Sequence, residues 1–120
     1  MAEAGGGTIV NVSSVAGRRA ALGAAVYNMT KFGVVGFSEG LRQEALHANV
    51  RVSVVEPGFV ETELQGHNKN PVVIDAIDKD RESVDPLQSE DLANAIVYIL
   101  GQPPHVNLSE VMVVPTKQTR

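Results

Sequence analysis

The stretch Thr8-Ile9-Val10-Asn11-Val12-Ser13 decides how the chain folds. It follows three glycines, and its β-branched and apolar residues predict a strand. A strand this short and this apolar is typical of a parallel sheet in which both faces are covered. Ser14, the next residue, is then expected at the carboxyl end of the strand, where open α/β sheets bind their ligands.

The rest of the chain alternates between helical and extended patterns. Apolar residues at near-helical intervals predict one long helix from Val26 to His47, and Asn49 is a plausible helix stop. A second strand is predicted over Val50–Val55, a helix capped at Ser89 follows, and a third strand covers Ser109–Val114. This order predicts an α/β fold with three parallel strands, joined by right-handed crossovers into a doubly wound sheet.

Two segments carry no regular pattern. Residues 63–85 are polar and predicted to be irregular, with 65–71 as their most turn-like part. Residues 116–120 form a tail that is predicted to be mobile.

Three side chains near the first strand could take part in the same proton transfer. Tyr27 and Lys31 lie four residues apart, so they project from one face of the predicted helix. A lysine cation beside a phenol favours its ionised form, which suits a general acid or base. With the Ser14 hydroxyl, these groups could move a proton on or off an alcohol or carbonyl oxygen. Taken singly, each also fits a solvated helix face or a turn-forming serine.

Other residues leave two interpretations open. Arg18 and Arg19, in a loop beside Ser14, either bind an anionic substrate group or are solvated. His67 is either a substrate contact or an exposed loop histidine. Thr62 either binds a ligand or caps a helix. Asn11 is expected to satisfy local backbone groups rather than touch substrate.

Composition narrows the function classes. The chain has 120 residues, 43% of them hydrophobic, and a net charge of −4, which argues against a nucleic-acid partner. It lacks cysteine, which excludes disulfides and cysteine catalysis. His47, His67 and His105 show no metal-ligand spacing, so no metal site is predicted. No apolar run approaches the roughly 20 residues of a membrane span, so no membrane partner is expected and the cytoplasm is the expected location.

Three motifs in order resemble the short-chain dehydrogenase/reductase family. They are N-V-S-S at 11–14, A-V-Y-N-M-T-K-F-G-V-V-G-F-S at 25–38 and V-E-P-G-F-V-E-T at 55–62. The resemblance runs from about residue 8 to residue 114. It implies NAD(P)-dependent interconversion of a small-molecule alcohol and a carbonyl compound, with the preference for NAD or NADP left open.

The resemblance also implies a role for each site residue. Tyr27 would be the general acid/base, Ser14 would hydrogen-bond the substrate oxygen, and Lys31 would tune the phenol and hold the nicotinamide ribose. Residues 63–85 would form the substrate-binding lid. The implied cofactor-binding residues are Tyr27, Lys31, Pro57, Gly58, Val60 and Thr62, the last two through the nicotinamide carboxamide.

By the same resemblance, residues 1–120 form the catalytic, C-terminal half of a Rossmann-type domain. A glycine-rich dinucleotide loop and the family's Asn-Asn-Ala-Gly strand end do not occur in the sequence, so the dinucleotide-binding half is expected elsewhere. The unpaired strand 8–13 and the helix 26–47 predict self-association into a homo-oligomer. Two alternatives remain: a catalytically inactive truncated remnant, and an association module.

Overall fold

A parallel sheet forms the centre of the molecule. The computed structural model describes residues 1–119, apart from the side chain of Gln65. Over these residues three strands occur: β1 (Gly7–Val12), β2 (Val50–Pro57) and β3 (Glu110–Val113), in the spatial order β1-β2-β3. All pair in parallel, with Gly7 opposite Val50 and Val54 opposite Glu110. The predicted α/β fold with a parallel sheet is confirmed.

Strand β2 carries most of the core because it is paired along both edges. Val52, Val54 and Val55 are at most 2% exposed, and Ser53 and Glu56 are equally inaccessible. The short, β-branched sequence of β2 fits a strand covered on both faces.

Three helices surround the sheet: α1 (Ala25–Glu44), α2 (Pro71–Ser83) and α3 (Ser89–Leu100). Helix α1 is shorter than predicted, because a separate 3-10 turn at Leu46–Ala48 replaces its last turn. Asn49 then takes a left-handed conformation, with φ of 53°, and reverses the chain into β2, as expected of a helix stop. None of the helices described between residues 1 and 119 is long and apolar enough to cross a membrane.

The sheet is covered on both faces. The Asn11 Nδ2 atom donates to the Ser38 hydroxyl on α1 at 2.9 Å, so one face of β1 lies against α1. Side chains of a strand alternate between faces, and Thr8, whose hydroxyl accepts from Arg51 Nε, therefore points to the other face. The same Arg51 guanidinium donates to the Leu100 carbonyl at the end of α3. Helices α1 and α3 thus lie on opposite faces, as a doubly wound sheet requires.

This arrangement corrects the predicted handedness of one crossover. In the order β1-β2-β3, each connection moves the chain to the next strand in the same direction. The connection from β1 to β2 runs over the face that carries α1, and the connection from β2 to β3 reaches the face that carries the end of α3. The two crossovers therefore have opposite hands. About 98% of such crossovers are right-handed, a preference that arises from the twist of a strand feeding directly into its helix. The connection from β2 to β3 contains α2 as well as α3, which gives the chain length to change faces.

The prediction of an irregular segment over residues 63–85 was wrong. The segment contains a 3-10 turn at Glu63–His67 and the whole of α2. The Asn70 side chain caps α2 by accepting from the Val72 N–H at 3.0 Å, and Pro71 occupies its first turn. This capping pair starts a helix even in a polar segment.

The prediction of a mobile tail was also wrong for residues 116–119. The Gln118 Oε1 atom accepts from the Phe59 N–H at 2.8 Å, and Gln118 N–H donates to the Pro115 carbonyl at 2.9 Å. The tail therefore packs on the loop that follows β2. Arg120 lies outside the described residues.

Candidate active site

The predicted site residues lie at the carboxyl edge of the sheet. Val12 at the end of β1 lies opposite Val55 in β2, so Ser14 and Pro57 follow neighbouring strand ends. The Ser14 Oγ atom accepts from the Ala16 N–H at 3.1 Å and lies 3.5 Å from the Pro57 carbonyl oxygen. The first bond makes Ser14 a cap of the short turn Val15–Gly17. The second is at the limit of a hydrogen bond, so the hydroxyl proton can turn to a substrate oxygen.

Tyr27 and Lys31 meet on the first turns of α1. The Lys31 Nζ atom lies 5.5 Å from the centre of the Tyr27 ring, within the range of a cation–π contact. The Tyr27 side chain is 43% exposed, so its phenol is accessible to a ligand. The spacing of four residues therefore places a cation and an accessible phenol side by side, as the sequence predicts.

The loop after Ser14 packs tightly on α1. The Ser13 hydroxyl donates to the Lys31 carbonyl at 2.8 Å, and Ser13 is 4% exposed. Gly17 lies against the same carbonyl: a Cβ atom there would approach the Lys31 oxygen to 2.8 Å and the Ser13 Oγ to 2.7 Å. A residue without a side chain is therefore required at this crossing. The Ser13 side chain thus makes a structural contact between this loop and α1.

Asn28 is a site residue that the sequence analysis missed. It directly follows Tyr27 and is 4% exposed. Its Nδ2 atom donates to the carbonyls of Ala16 at 2.7 Å and Arg19 at 2.9 Å, and its Oδ1 accepts from the Ala21 N–H at 3.1 Å. The available signal was an amide within a helix, where asparagine is unfavourable unless its side chain has backbone partners.

Arg18 does not point to a substrate anion. Its Nε atom donates to Glu56 at 2.7 Å, and its Nη2 pairs with Glu110. The Glu56 side chain is only 2% exposed. These hydrogen bonds, that to Glu56 above all, raise the pKa of Arg18. Its charge neutralises carboxylates of β2 and β3, while the Arg18 side chain stays 38% exposed, so the solvated interpretation holds in part. Arg19 is exposed.

The Pro57-Gly58 turn is held by the tail. A Cβ atom at Gly58 would collide with the Gln118 Oε1 and approach Val114 Cγ1 to 3.0 Å. The Gly58 N–H donates to the Val113 carbonyl at 2.7 Å. The turn is thus fixed on its side toward β3.

The other two predicted cofactor residues continue from this turn. Val60 forms an isolated parallel bridge with Leu87, in which Glu61 N–H donates to the Leu87 carbonyl at 2.9 Å. The Thr62 Oγ1 atom accepts from the Leu64 N–H at 3.3 Å, which matches the capping interpretation.

A cavity of about 460 Å³ opens between this loop and α2. Its walls include Phe59, Thr62, Ile74 and Ile77, with the Arg81–Glu61 ion pair at the rim. The volume suits a small ligand. Ser14, Tyr27 and Lys31 do not line it, and His67 is exposed outside its wall. A second cavity of about 710 Å³ lies at the amino ends of β1 and β2, remote from the predicted site.

The donor set at the carboxyl edge fits the nicotinamide riboside part of a dinucleotide. An ammonium group and a phenol, from Lys31 and Tyr27, match ribose hydroxyls. Over residues 1–119 the glycine-rich turn of a pyrophosphate site does not occur between a strand and a helix. The residues present therefore fit one half of such a cofactor.

Comparisons with known proteins identify the family of the chain. Residues 1–72 match the family described as short chain dehydrogenase. Dehydrogenase/reductase SDR family member 11 of Mus musculus is 36% identical over 118 residues, covering 93% of this chain and 44% of that protein. Serine 3-dehydrogenase of Agrobacterium fabrum is 37% identical over 117 residues, covering 94% and 45%.

Solved structures extend the likeness to three dimensions. The closed form of serine dehydrogenase complexed with NADP+ superposes with a TM-score of 0.88 at 32% identity. The match covers 100% of this chain and 48% of that one. The chain thus spans less than half the length of the relatives it matches.

Proposed function

Because the chain belongs to the short-chain dehydrogenase/reductase family, we propose that it carries the proton-transfer residues of an NAD(P)-dependent oxidoreductase. The reaction is the interconversion of a small-molecule alcohol and a carbonyl compound. Residues 1–120 act as the catalytic, C-terminal half of a Rossmann-type domain, and other residues supply the dinucleotide-binding half. The match of the chain to less than half of each relative supports this division.

The observation that carries the proposal is the pairing of Tyr27 with Lys31 on an accessible helix face. Packing of the adjacent loop on α1 holds this pair beside the strand end that bears Ser14. A bound nicotinamide cofactor supplies or accepts the hydride. The residues of this chain have only to hold the substrate oxygen and move one proton.

Each residue has one task in this scheme. In the reducing direction the Tyr27 phenol donates its proton to the carbonyl oxygen, and in the oxidising direction the phenolate accepts the proton of the alcohol. The Ser14 hydroxyl donates a hydrogen bond to the same oxygen, which steadies the charge that develops there. The Lys31 ammonium group lies beside the Tyr27 ring and binds the nicotinamide ribose.

The loop after β2 holds the nicotinamide ring. Pro57 and Gly58 turn the chain at the sheet edge, and the Val60 backbone and the Thr62 hydroxyl bind the carboxamide. Fixation of the turn by Gln118 supports this role, since a carboxamide clamp requires a rigid backbone. Residues 63–85 form the substrate lid, which supplies one wall of the 460 Å³ cavity.

Self-association is the second part of the proposal. Helix α1 exposes an apolar face in which Val26 is 72%, Met29 67% and Phe37 63% exposed. Gly33 and Gly36 lie on the exposed side of the same helix with open space above them, which permits close approach of a partner helix. The occupant we propose is α1 of a second copy of the chain. The cytoplasm is the location we propose.

The same face supports the second candidate function, an association module without catalysis. In that case the chain would bind partners through α1 while its site residues turned over nothing. A truncated remnant of an oxidoreductase would behave in the same way.

Titration with NADH and NADPH distinguishes these functions. The protein for this titration is the chain joined to a dinucleotide-binding segment, and we expect the nicotinamide fluorescence to change when it is added. This change should be weaker for the Lys31→Met variant and unaltered for the Lys117→Met variant. Lys117 is an exposed lysine of the tail and serves as the matched control. Equal binding by both variants would contradict the cofactor role of Lys31.

A further inference from the structure

Asn28 connects the helix that carries Tyr27 to the loop that begins at Ser14. It follows Tyr27 in α1, and its side chain turns away from the accessible face into the loop that begins at Ser14. At 4% exposure it is among the least accessible polar residues of the molecule. Its amide uses three backbone partners in residues 16–21.

Two hydrogen bonds through Ala16 connect the Asn28 amide to the Ser14 side chain. The Asn28 Nδ2 atom donates to the Ala16 carbonyl at 2.7 Å, and the Ala16 N–H donates to the Ser14 Oγ at 3.1 Å. Tyr27 adjoins Asn28 in the first turns of α1. A displacement of the Ala16 segment would therefore change the orientation of the Ser14 hydroxyl relative to the Tyr27 phenol.

We propose that Asn28 is a positioning residue, which fixes the Ser14 hydroxyl relative to the Tyr27 phenol through the Ala16 segment. The inference rests on the function proposed above. Asparagine suits this role because one amide donates to two carbonyls and accepts from one N–H. Aspartate has the same shape but, when ionised, only accepts.

Two variants separate the donors of Asn28 from its acceptor. In Asn28→Ala all three bonds are lost. The Ala21 N–H then loses its own acceptor, whereas the Ala16 N–H, which donates to Ser14 Oγ, loses protection because the segment around Ala16 is no longer held through its carbonyl. Asn28→Asp keeps the acceptor for the Ala21 N–H and loses both donors. We expect Ala16 exchange to rise about ten-fold or more in both variants, the factor typical of losing a buried hydrogen bond, while Ala21 stays protected in Asn28→Asp.

Ser38 provides a matched control on the same helix. It is 3% exposed, and its hydroxyl joins α1 to β1 by accepting from Asn11. Ser38→Ala thus removes an equally buried link at the other end of α1. We expect this variant to lose stability while leaving the exchange of the Ala16 amide, relative to global unfolding, unchanged.

Amide hydrogen exchange followed by NMR, together with steady-state kinetics, tests the proposal. In a preparation that turns over, Asn28→Ala should lower kcat about ten- to a hundred-fold with the cofactor KM nearly constant, since misplacement of catalytic groups has that cost. Ala16 protection unchanged in Asn28→Ala would overturn the proposal, and so would an equal kcat loss in Ser38→Ala. The exchange result needs no turnover, so it stands separately if the proposed oxidoreductase activity fails.

Discussion

At the scale of single residues, the molecule contains a carboxylate, that of Glu56, that is almost completely buried. Glu56 precedes the Pro57-Gly58 turn and is 1% exposed. An isolated buried carboxylate is costly, and Arg18 supplies its counter-charge from the loop that follows Ser14. The pair therefore joins the loop that follows Ser14 to the end of β2, directly before the turn to which we assign cofactor binding.

Arg18→Met should destabilise the fold, because it leaves the Glu56 charge buried and unpaired. We expect a loss of up to about 3 kcal/mol, the low end for breaking a buried pair, since the Arg18 side chain is itself 38% exposed. Lys79→Met breaks the exposed pair with Asp75 and should cost less than about 0.5 kcal/mol.

Urea unfolding of the single and double variants measures this coupling. Arg18→Met combined with Glu56→Gln should recover most of the lost stability, because no uncompensated charge remains. Additive losses in the double variant would show that the pair is not coupled.

The sequence predicts the candidate site residues but not the contacts that support them. The motifs around Ser14, Tyr27 and Lys31 are local in sequence, and Tyr27 and Lys31 meet because four residues are about one helical turn. The partners of Arg18 lie 38 and 92 residues away, at Glu56 and Glu110. No local pattern encodes contacts of that range.

At the scale of elements, helix α1 shows the limit of hydrophobic patterning. The apolar residues that predicted the helix, such as Val26, Met29 and Phe37, lie on its exposed side, while the buried positions hold Asn28 and Ser38. Periodicity identified the element correctly but not the side that faces the sheet. Where polar side chains are satisfied by backbone groups, they can occupy the buried face.

The carboxyl end of α3 is held by one side chain of β2. The Arg51 guanidinium donates through Nε to the Thr8 hydroxyl. Its two Nη atoms donate to backbone carbonyls at the end of α3 and in the segment that follows α3. These carbonyls belong to Leu100, Gln102, Pro103 and Val106. A cation at this position satisfies terminal carbonyls and complements the helix dipole.

Arg51→Met should loosen the end of α3 and the connection to β3. Loss of hydrogen bonds to a charged group costs about 1.5–3 kcal/mol, and we expect a loss of unfolding free energy in that range. Arg42→Met removes an exposed pair with Glu39 on α1 and should lower the stability much less, because exposed ion pairs contribute little. Thermal unfolding decides: equal shifts in Tm for the two variants would contradict the anchoring role of Arg51.

At the scale of the whole molecule, the chain has unpartnered surfaces on one side. Strand β1 pairs only with β2 in the described sheet, and Val12 at its end is 52% exposed. A strand edge of this kind tends to pair with further strands. In the scheme proposed above, the strands of a dinucleotide-binding half pair with this edge of β1. Because the chain alone lacks those strands, we expect it to bind dinucleotide poorly.

Phe37→Glu should weaken self-association of the chain. The side chain is 63% exposed on α1, and a carboxylate there would be buried without a partner in a dimer packed through this helix. We expect the dimer dissociation constant to rise about ten-fold or more, as measured by sedimentation. Leu22→Glu, at a fully exposed position in the loop that precedes α1, is the control. A monomeric wild-type chain would contradict the prediction outright.

The most direct measurement of the central claim is the turnover of Tyr27→Phe. The substitution removes the transferable proton and keeps the ring, so with a dinucleotide-binding segment supplied, kcat should fall about 10²- to 10⁴-fold while nicotinamide affinity changes little. Tyr98→Phe, an exposed tyrosine of α3, should turn over normally. Near-normal turnover in Tyr27→Phe would contradict the assignment of Tyr27 as the general acid/base.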